Sequence, residues 1–241
     1  MKLFLSNIVT SFLNIVMPGR CLQCGRIVYG KSALCATCFS KIYFLARQGC
    51  PRCGRPYDLP EDEGMVCPVC LTKPPVFHTL RSAFIYNKFS RELILPFKHA
   101  DRTDMTPFLG NLMYQAGHEM LEKADLIIAV PLHPRKLMKR KYNQAGLLAH
   151  YLAKKTKKQY LANTLQRIIN TKTQGHDNAE QRKQNVKGAF YVKNPKQIAG
   201  KRIVMIDDVY TTGATLNECA KVLYKAGAQN VDCLTIARVR G

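Results

Sequence analysis

The stretch Arg202-Ile-Val-Met-Ile-Asp-Asp-Val-Tyr-Thr-Thr-Gly-Ala-Thr215 contains an apolar run, an acidic pair and a turn of small residues. The apolar run, Ile203 to Ile206, suits a strand that is covered on both faces. Helical periodicity from Leu216 to Ala226, followed by Gly227, predicts that the turn leads into a helix. A strand, turn and helix in this order direct backbone N–H groups and the positive end of a helix dipole at one place. The sequence therefore predicts an anion site at this turn.

The polar side chains of the same stretch indicate the kind of molecule to which the anionic group belongs. Asp207 and Asp208 follow the apolar run, where carboxylates can accept hydrogen bonds from sugar hydroxyls or hold Mg²⁺ through water. Adjacent carboxylates repel each other, which favours a cation or a hydroxyl-rich ligand between them. The turn adds hydroxyl donors and a glycine that permits close backbone approach: Thr211, Thr212, Gly213 and Thr215. Phosphate and ribose recognised side by side indicate a phosphorylated pentose.

Eight of the ten cysteines form four Cys-x-x-Cys pairs, which indicates metal binding rather than a disulfide scaffold. Two such turns complete a tetrahedral all-sulfur site, so four turns predict two structural Zn²⁺ ions. Redox-active pairs are the alternative, but no βαβ pattern surrounds these cysteines. Consecutive pairing closes shorter loops and is favoured, although a cross-braced arrangement stays open. The favoured ligand sets are Cys21, Cys24, Cys35 and Cys38 for one ion and Cys50, Cys53, Cys67 and Cys70 for the other.

Composition and charge limit the kinds of partner. With 241 residues and 46% hydrophobic content, the chain is long enough for one α/β domain and a small extra module. The formal net charge of +21 favours nucleic acid, anionic lipid or phosphorylated ligands, although a basic composition alone locates no binding site. Zinc sites need reduced thiolates, so the expected location is cytoplasmic.

The first 18 residues predict a short amphipathic helix. Apolar residues recur near helical spacing from Leu3 to Val16, and Pro18-Gly19 leads into the first cysteine pair. A signal peptide is not favoured because no small-residue cleavage site follows, and the stretch is short for a bilayer span. We expect this helix to pack on the body of the protein, with peripheral membrane contact as the less favoured alternative.

The rest of the chain alternates apolar strand patterns with helical patterns, which predicts a parallel sheet. Strands are expected at 80–86, 125–130 and near 160–165. Helices are expected at 89–99, 105–121, 140–155 and 179–186. Lys98, near the end of the first of these helices, is a candidate phosphate contact.

The segment after the strand at 125–130 would be the pyrophosphate loop of a fold that resembles the type I phosphoribosyltransferases. Ligands collect at the carboxyl ends of parallel strands, so this segment and residues 207–215 should face the same crevice. Backbone N–H groups would do most of the binding, and two cationic side chains would neutralise the charge. The loop consists of Leu132, His133, Pro134, Arg135 and Lys136. His133 is either a general acid or an ordinary loop residue.

Residues 204–215 resemble the phosphoribosyl-pyrophosphate (PRPP) loop of the type I phosphoribosyltransferases. Over nearly the whole chain, the sequence resembles the ComF (competence protein F) family. The matching features are the cysteine pairs, Val130-Pro-Leu-His-Pro-Arg-Lys136, Tyr142-Asn-Gln-Ala145, Arg167 with Thr171 and Gln174, Arg182 with Asn185-Val186, Ala189-Phe190 and the PRPP-like loop. Two positions depart from the family pattern: Lys141 stands where glycine is usual, and Thr173 where proline is usual.

The resemblance implies an α/β fold with a type I phosphoribosyltransferase-like parallel sheet at 79–241. A double zinc ribbon at 19–73 and the helix at 1–18 would precede it. The implied ligand is PRPP, or a related phosphoribosyl compound, together with Mg²⁺. Its ribose and phosphate would be bound by Asp207, Asp208, Val209, Tyr210, Thr211, Thr212, Gly213, Ala214 and Thr215. The family also implies a part in natural transformation, in which external DNA arrives as a single strand.

Three hypotheses for function follow. In the first, the ribbons and the basic surface hold single-stranded DNA while the phosphoribosyl site binds a nucleotide-like ligand. In the second, the protein is an active phosphoribosyltransferase with PRPP as donor and a nitrogenous acceptor, although the sequence reveals no acceptor pocket. In the third, the ribbons recruit a DNA-uptake helicase or a recombination partner, and contact with DNA is indirect. Fold alone does not choose among them.

Overall fold

A computed structural model describes residues 19–28, 33–45, 49–57, 64–99, 101–170 and 179–240. The helix predicted for residues 1–18 and the polar segment 171–177 lie outside the described residues. Among the residues described, no helix is both long enough and apolar enough to cross a membrane.

Seven strands and eight α-helices lie within the described part of the chain. The strands are β1 (Leu80–Tyr86), β2 (Leu126–Ala129), β3 (Gln159–Tyr160), β4 (Leu165–Arg167), β5 (Phe190–Val192), β6 (Arg202–Tyr210) and β7 (Asn230–Val239). The helices are α1 (Ala36–Phe39), α2 (Pro68–Thr72), α3 (Lys88–His99), α4 (Thr106–Lys123), α5 (Pro134–Arg140), α6 (Gln144–Thr156), α7 (Ala179–Val186) and α8 (Ala214–Lys225). Short 3-10 turns occupy Thr103–Met105 and Pro195–Gln197.

Five parallel strands form the central sheet in the order β1-β7-β6-β2-β3. β6 is central because its apolar residues, 203–206, are buried on both faces. It pairs with β2 on one side, and the Val130 N–H continues that pairing by donating to the Ile206 carbonyl at 2.9 Å. The carboxyl ends of β2 and β6 therefore lie side by side, which brings the two predicted ligand-binding segments together. β4 and β5 form a separate antiparallel pair.

Helices cover both faces of the sheet. One apolar cluster packs α3, α4 and α6 against side chains such as Ile127 and Ile206. The other packs α8 against alternate strand residues such as Ile128 and Met205. Cys219 and Cys233 are fully buried in this second cluster. The result is a helix–sheet–helix arrangement with the sheet in the middle.

The cysteine-rich segment is packed on the β1 side of this sheet. Phe44 forms an antiparallel bridge with Phe84 of β1, and Val28 and Ile42 belong to the first apolar cluster. Further along, the Leu80 N–H donates to the Arg52 carbonyl at 2.8 Å. Backbone hydrogen bonds and buried side chains thus join the cysteine-rich segment to the α/β core.

Some predicted elements differ from the observed ones. Only Leu132 and His133 of the predicted pyrophosphate loop are irregular, because Pro134 begins α5, a position that proline favours. α6 begins at Gln144 rather than at residue 140, since Lys141 takes a left-handed conformation that ends α5. The strand predicted near 160–165 is two strands, β3 and β4, separated by a turn. β6 continues through Tyr210, so the acidic pair lies within the strand instead of after it.

Candidate functional site

The acidic pair occupies the carboxyl-terminal half of β6. Successive strand residues face opposite sides, so Asp207 lies on the α8 side and Asp208 on the α3 side. Lys98 of α3 meets Asp208 there, with Nζ 2.8 Å from Oδ2 and both side chains 19% exposed. The predicted phosphate contact Lys98 thus neutralises one of the two predicted ligand-binding carboxylates. The two carboxylates face opposite sides of the strand, but the charge of Asp208 still acts on Asp207.

Asp207 is held in an unusual electrostatic environment. Burial, together with the charge of Asp208, raises the pKa of its carboxyl to about 7. The Asp208 N–H, which donates to Asp207 Oδ1 at 2.8 Å, and the charges of Lys98 and Arg167 act in the opposite direction. A hydroxyl-rich or cationic ligand that favours the ionised carboxylate would compensate for this burial.

Arg167, at the end of β4, is a cation that sequence reasoning did not assign to the site. Its charge acts on Asp207, and it also lowers the pKa of Lys136, for which burial is the larger cause and Arg140 a further one. The guanidinium lies 5.3 Å from the centre of the Phe190 ring. Arg167 was part of the family resemblance, but nothing local in the sequence placed it beside β6. Like charges gathered in this way favour an anion among them.

The segment 131–133 connects β2 to α5, and His133 caps the helix. Its Nδ1 accepts a hydrogen bond from the Arg135 N–H at 3.2 Å, so helix capping accounts for this side chain without a role as general acid. Leu132 and Lys136 are half-buried, whereas Pro134 and Arg135 are exposed. Within the predicted pyrophosphate loop, Lys136 is the residue whose pKa the charge of Arg167 lowers.

Three consecutive residues before and within α6 fix the surroundings of the site. The Tyr142 hydroxyl donates to the Phe97 carbonyl at 2.9 Å, and Gln144 Nε2 donates to the Lys98 carbonyl at 2.9 Å. Asn143 Nδ2 donates to the Val130 carbonyl at 3.0 Å. These bonds hold the end of α3 and the end of β2. Lys98 is consequently positioned by residues more than forty positions away in the chain.

The turn between β6 and α8 comprises residues 211–213. Thr211 and Thr212 are exposed, and Ala214, Thr215 and the preceding Val209 are half-buried. Gly213 has a φ of 75°, and a Cβ there would lie 2.8 Å from the Tyr210 ring, so glycine is required both by conformation and by space. The first N–H groups of α8 have no intrahelical acceptors and are available for an anion.

Tyr210 lies beneath this turn rather than in it. Its ring meets Phe77 edge-on, with centroids 6.3 Å apart, and the Arg238 guanidinium lies 5.3 Å from the ring centre. Burial raises the pKa of Tyr210 to about 12, so the hydroxyl stays protonated. This residue supports the turn through Gly213 and lines a neighbouring cavity of about 420 Å³.

The eight paired cysteines form two tetrads by consecutive pairing. Within each tetrad the sulfur atoms lie within 4.8 Å of one another: Cys21, Cys24, Cys35 and Cys38 form the first, and Cys50, Cys53, Cys67 and Cys70 form the second. The Cys24–Cys35 and Cys53–Cys67 sulfur distances are 3.8 and 3.7 Å. Tetrahedral Zn–S bonds of about 2.3 Å require sulfurs about 3.8 Å apart, so both tetrads fit zinc.

The two tetrads differ in exposure and in their contacts with the core. Cys24 is exposed and Cys35 half-buried, whereas all four cysteines of the second tetrad are buried. Arg238 of β7 donates through Nη1 to the Cys53 carbonyl, and Nη1 lies 3.6 Å from the Cys53 sulfur. These contacts connect the second tetrad to the sheet.

Comparison with known proteins identifies both modules. Residues 12–71 match the model of the double zinc ribbon domain, and residues 145–241 match that of the phosphoribosyl transferase domain. The DNA utilization protein YhgH of Salmonella typhimurium is 32% identical over 233 residues, which cover 93% of this chain and 99% of that protein. Competence protein F of Haemophilus influenzae is 31% identical over 226 residues, 91% of this chain and 96% of that protein. The chain belongs to the competence protein F family.

Membership of the competence protein F family confirms the predicted fold class and the predicted zinc-ribbon module. Competence protein ComFC of Bacillus subtilis is a further relative, 28% identical over 213 residues, which cover 85% of this chain and 84% of that protein. The usual glycine of the family at position 141 has a structural explanation, because Lys141 has a φ of 65°. Lys141 pairs with Asp101, Nζ to Oδ2, at 2.8 Å. The other departure, Thr173, lies outside the described residues.

Proposed function

We propose that this protein acts in DNA uptake or DNA utilisation in the cytoplasm, where it binds single-stranded DNA and PRPP or a related phosphoribosyl ligand with Mg²⁺. The names of its relatives support the role with DNA. One structural observation supports the ligand: two carboxylates at the end of β6 lie within electrostatic range of two cations and close to the start of α8, and a third cation lies within range of one of those two. The carboxylates are Asp207 and Asp208, and the cations are Lys98, Lys136 and Arg167.

The geometry supports binding of each part of the ligand by a different set of residues. The 5-phosphate would lie on residues 211–215, where the N–H groups of α8 and the threonine hydroxyls donate. The ribose hydroxyls, or Mg²⁺ through water, would be bound by Asp207 and Asp208. Asp208 would then exchange its contact with Lys98 for the ligand, which frees Lys98 for phosphate. The pyrophosphate would lie between Lys136 and Arg167.

Calorimetry with PRPP and Mg²⁺ tests this site. We expect the wild type to bind and an Asp207→Ala, Asp208→Ala double variant to lose binding by about a hundredfold or more, since two ligand contacts disappear. An Asp104→Ala, Glu122→Ala double variant is a matched control, because it removes the same charge at two exposed positions. Zinc content should be equal in all three proteins. Absence of PRPP binding by the wild type, or equal losses in both double variants, would contradict the proposed site.

Binding of single-stranded DNA is tested by its dependence on salt. With a net charge of +21, affinity should come mostly from phosphate contacts and be weak in sequence preference. Fluorescence anisotropy with labelled oligonucleotides of different sequence should show at least a roughly tenfold loss of affinity between 50 and 200 mM salt. Salt-insensitive binding to a single sequence would contradict this part of the proposal.

An active phosphoribosyltransferase is the second candidate function. Lys136 and Arg167 favour it, because cations beside the departing pyrophosphate would stabilise the charge that develops as its bond to the ribose carbon breaks. A nitrogen nucleophile would form the new bond to that carbon, and positioning would supply most of the rate. Pyrophosphate release from PRPP in the presence of a panel of nucleobases tests the reaction. Tight PRPP binding without release for any acceptor would exclude this candidate in favour of a binding role.

A further inference from the structure

A cavity of about 420 Å³ lies between the second cysteine tetrad and helices α7 and α8. This volume falls within the range of small-molecule sites. Its apolar walls come from both modules: Val69, Pro74, Pro75, Val76, Val186 and Val239. Thr211 and Thr212 of the turn after β6 also line it, but Asp207 and Asp208 do not. The cavity therefore adjoins the phosphoribosyl site without containing the acidic pair.

Two polar groups in the cavity wall have no hydrogen-bond partner among the residues that the structure describes. Arg238 is 4% exposed, and its bonds run through Nη1 to Cys53 and through Nε to the Val239 carbonyl. No described residue accepts a hydrogen bond from its Nη2, and none pairs with the Tyr210 hydroxyl. The Arg238 guanidinium and the protonated Tyr210 phenol both line the cavity, so their N–H and O–H groups are donors placed for a ligand's acceptor atoms.

The rim of the cavity is cationic. Five cationic side chains line it against two carboxylates: Arg55, Lys73, Lys183, Lys221 and Arg238 against Glu180 and Glu218. Glu218 is already engaged, since Oε1 accepts from the Gly188 N–H at 2.8 Å and Oε2 lies 3.4 Å from Lys221 Nζ. The excess of positive charge at an open rim favours a ligand with at least one phosphate there.

We propose that this cavity is a nucleotide site, in which a base occupies the apolar interior and its phosphate meets the lysines of the rim. A base fits this cavity because it is flat and apolar and carries carbonyl and ring-nitrogen acceptors for Arg238 Nη2 and the Tyr210 hydroxyl. Both modules form the site, so the second ribbon is a direct ligand-binding element. The inference deepens the DNA-binding part of the proposed function, and the nucleotide is either free or part of a DNA strand.

The test is calorimetry of the zinc-loaded protein with deoxythymidine and deoxyadenosine 5′-monophosphates and with a twenty-residue oligothymidylate. Val69→Trp places an indole in the cavity from an exposed position, so the fold is preserved. We expect it to weaken mononucleotide binding by at least about tenfold, or 1.4 kcal/mol. Leu71→Trp is the matched control, because Leu71 is exposed in the same helix, α2, and does not line the cavity. It should bind within about twofold of the wild type.

A charge-reversal pair checks the rim. Lys73→Glu should weaken mononucleotide binding, whereas Lys225→Glu, an equal change in net charge at an exposed position outside the cavity, should not. If the oligonucleotide binds more tightly and responds to Val69→Trp in the same way, the source of the nucleotide is a DNA strand. If only mononucleotides respond, the source is a free nucleotide. Both results support the site.

Three outcomes would overturn it. One is the absence of mononucleotide binding by the wild type. Another is binding that PRPP displaces and that Val69→Trp leaves unchanged, because the nucleotide would then lie on the turn after β6. The third is equal effects of the tryptophan at positions 69 and 71. PRPP binding and oligonucleotide binding are measured on the same variants, so the proposed function can hold while this site fails, and the converse.

Discussion

Asp207 is the residue whose ionisation should make stability depend on pH. Its folded-state pKa of about 7 lies above the ordinary value of 3.8, because of burial and the neighbouring charge of Asp208. The folded state therefore binds this proton more strongly than the unfolded state does. The stabilisation of the folded state that comes from binding this proton is fully present below about pH 4 and is lost as the pH rises to 7.

Replacing Asp207 by asparagine removes the free-energy cost of burying an ionised carboxylate at high pH. We expect Asp207→Asn to raise the free energy of unfolding by about 1–3 kcal/mol at pH 8.5, and the gain to shrink as the pH falls to 6. Urea unfolding at these pH values checks the trend. Asp104→Asn is the control, since Arg102 lowers the pKa of Asp104. The free energy of unfolding of this variant relative to the wild type should therefore not increase with pH. A constant difference between wild type and Asp207→Asn over this range would contradict the assigned pKa shift.

Lys141 supplies a second prediction at the residue scale. A non-glycine residue at a φ of 65° is strained by roughly 1 kcal/mol, and its surface ion pair with Asp101 offsets little of that. Lys141→Gly should therefore stabilise the protein by about 0.5 kcal/mol, after allowance for the greater entropy of the unfolded glycine chain. Lys139→Gly, two positions earlier within α5, should destabilise it by about 1 kcal/mol. If thermal unfolding showed that both variants change the stability in the same direction, this result would contradict the strain at Lys141.

At the scale of elements, the contact between α4 and α6 depends on Gly110. A Cβ at this buried position would overlap the ring of Tyr151, whose hydroxyl is hydrogen-bonded to Asn111 at 3.0 Å. Gly110→Ala should cost about 1–3 kcal/mol in spite of its better helix propensity. Gly146→Ala in α6 is the comparison, because its new Cβ would meet nothing closer than 3.3 Å. Chemical denaturation should show a loss for the first variant and a neutral or small gain for the second, and equal effects would refute the overlap.

At the scale of the whole molecule, the two zinc ribbons are expected to respond differently to a chelator. The first tetrad has an exposed cysteine, Cys24, whereas the second is buried and held to the sheet by Arg238. We expect zinc release in two phases, with the first ion leaving from the first tetrad. A chromogenic chelator follows the release, and Cys24→Ser should remove the fast phase only.

Loss of the second zinc ion should destabilise the α/β core. Metal binding and folding are coupled, and the second tetrad contacts β7 through Cys53. Cys67 is also buried whereas Cys24 is exposed, so Cys67→Ser should lower the melting temperature more than Cys24→Ser, although each removes one thiolate ligand. Equal melting temperatures, or release of both ions in one phase, would mean that the contacts with the sheet do not distinguish the ribbons.

Local chemistry was enough to predict much of this molecule. The run from Ile203 to Ile206 had to be covered on both faces, so its strand was predictable, and so was the helix after Gly213. Two Cys-x-x-Cys turns complete one tetrahedral site, and the entropy of loop closure favoured consecutive pairing, which the tetrads confirm. Such features rest on spacing over a few residues, which is what a sequence records directly.

The contacts around the acidic pair were decided only when the chain folded. Lys98 reaches Asp208 because Tyr142 and Gln144 hold the end of α3. Arg167 of β4 lies within electrostatic range of Asp207. Such contacts join segments dozens of residues apart, and no local periodicity encodes which side chains will meet.

The cavity beside the second ribbon has the same origin. Its walls come from α2, α7, α8 and the end of β7, which meet only when the ribbon packs on the sheet. Residue types and short spacings establish which elements form and which metals fit. The distances between distant elements depend on how side chains pack over the whole core, and these distances determine the ligand sites.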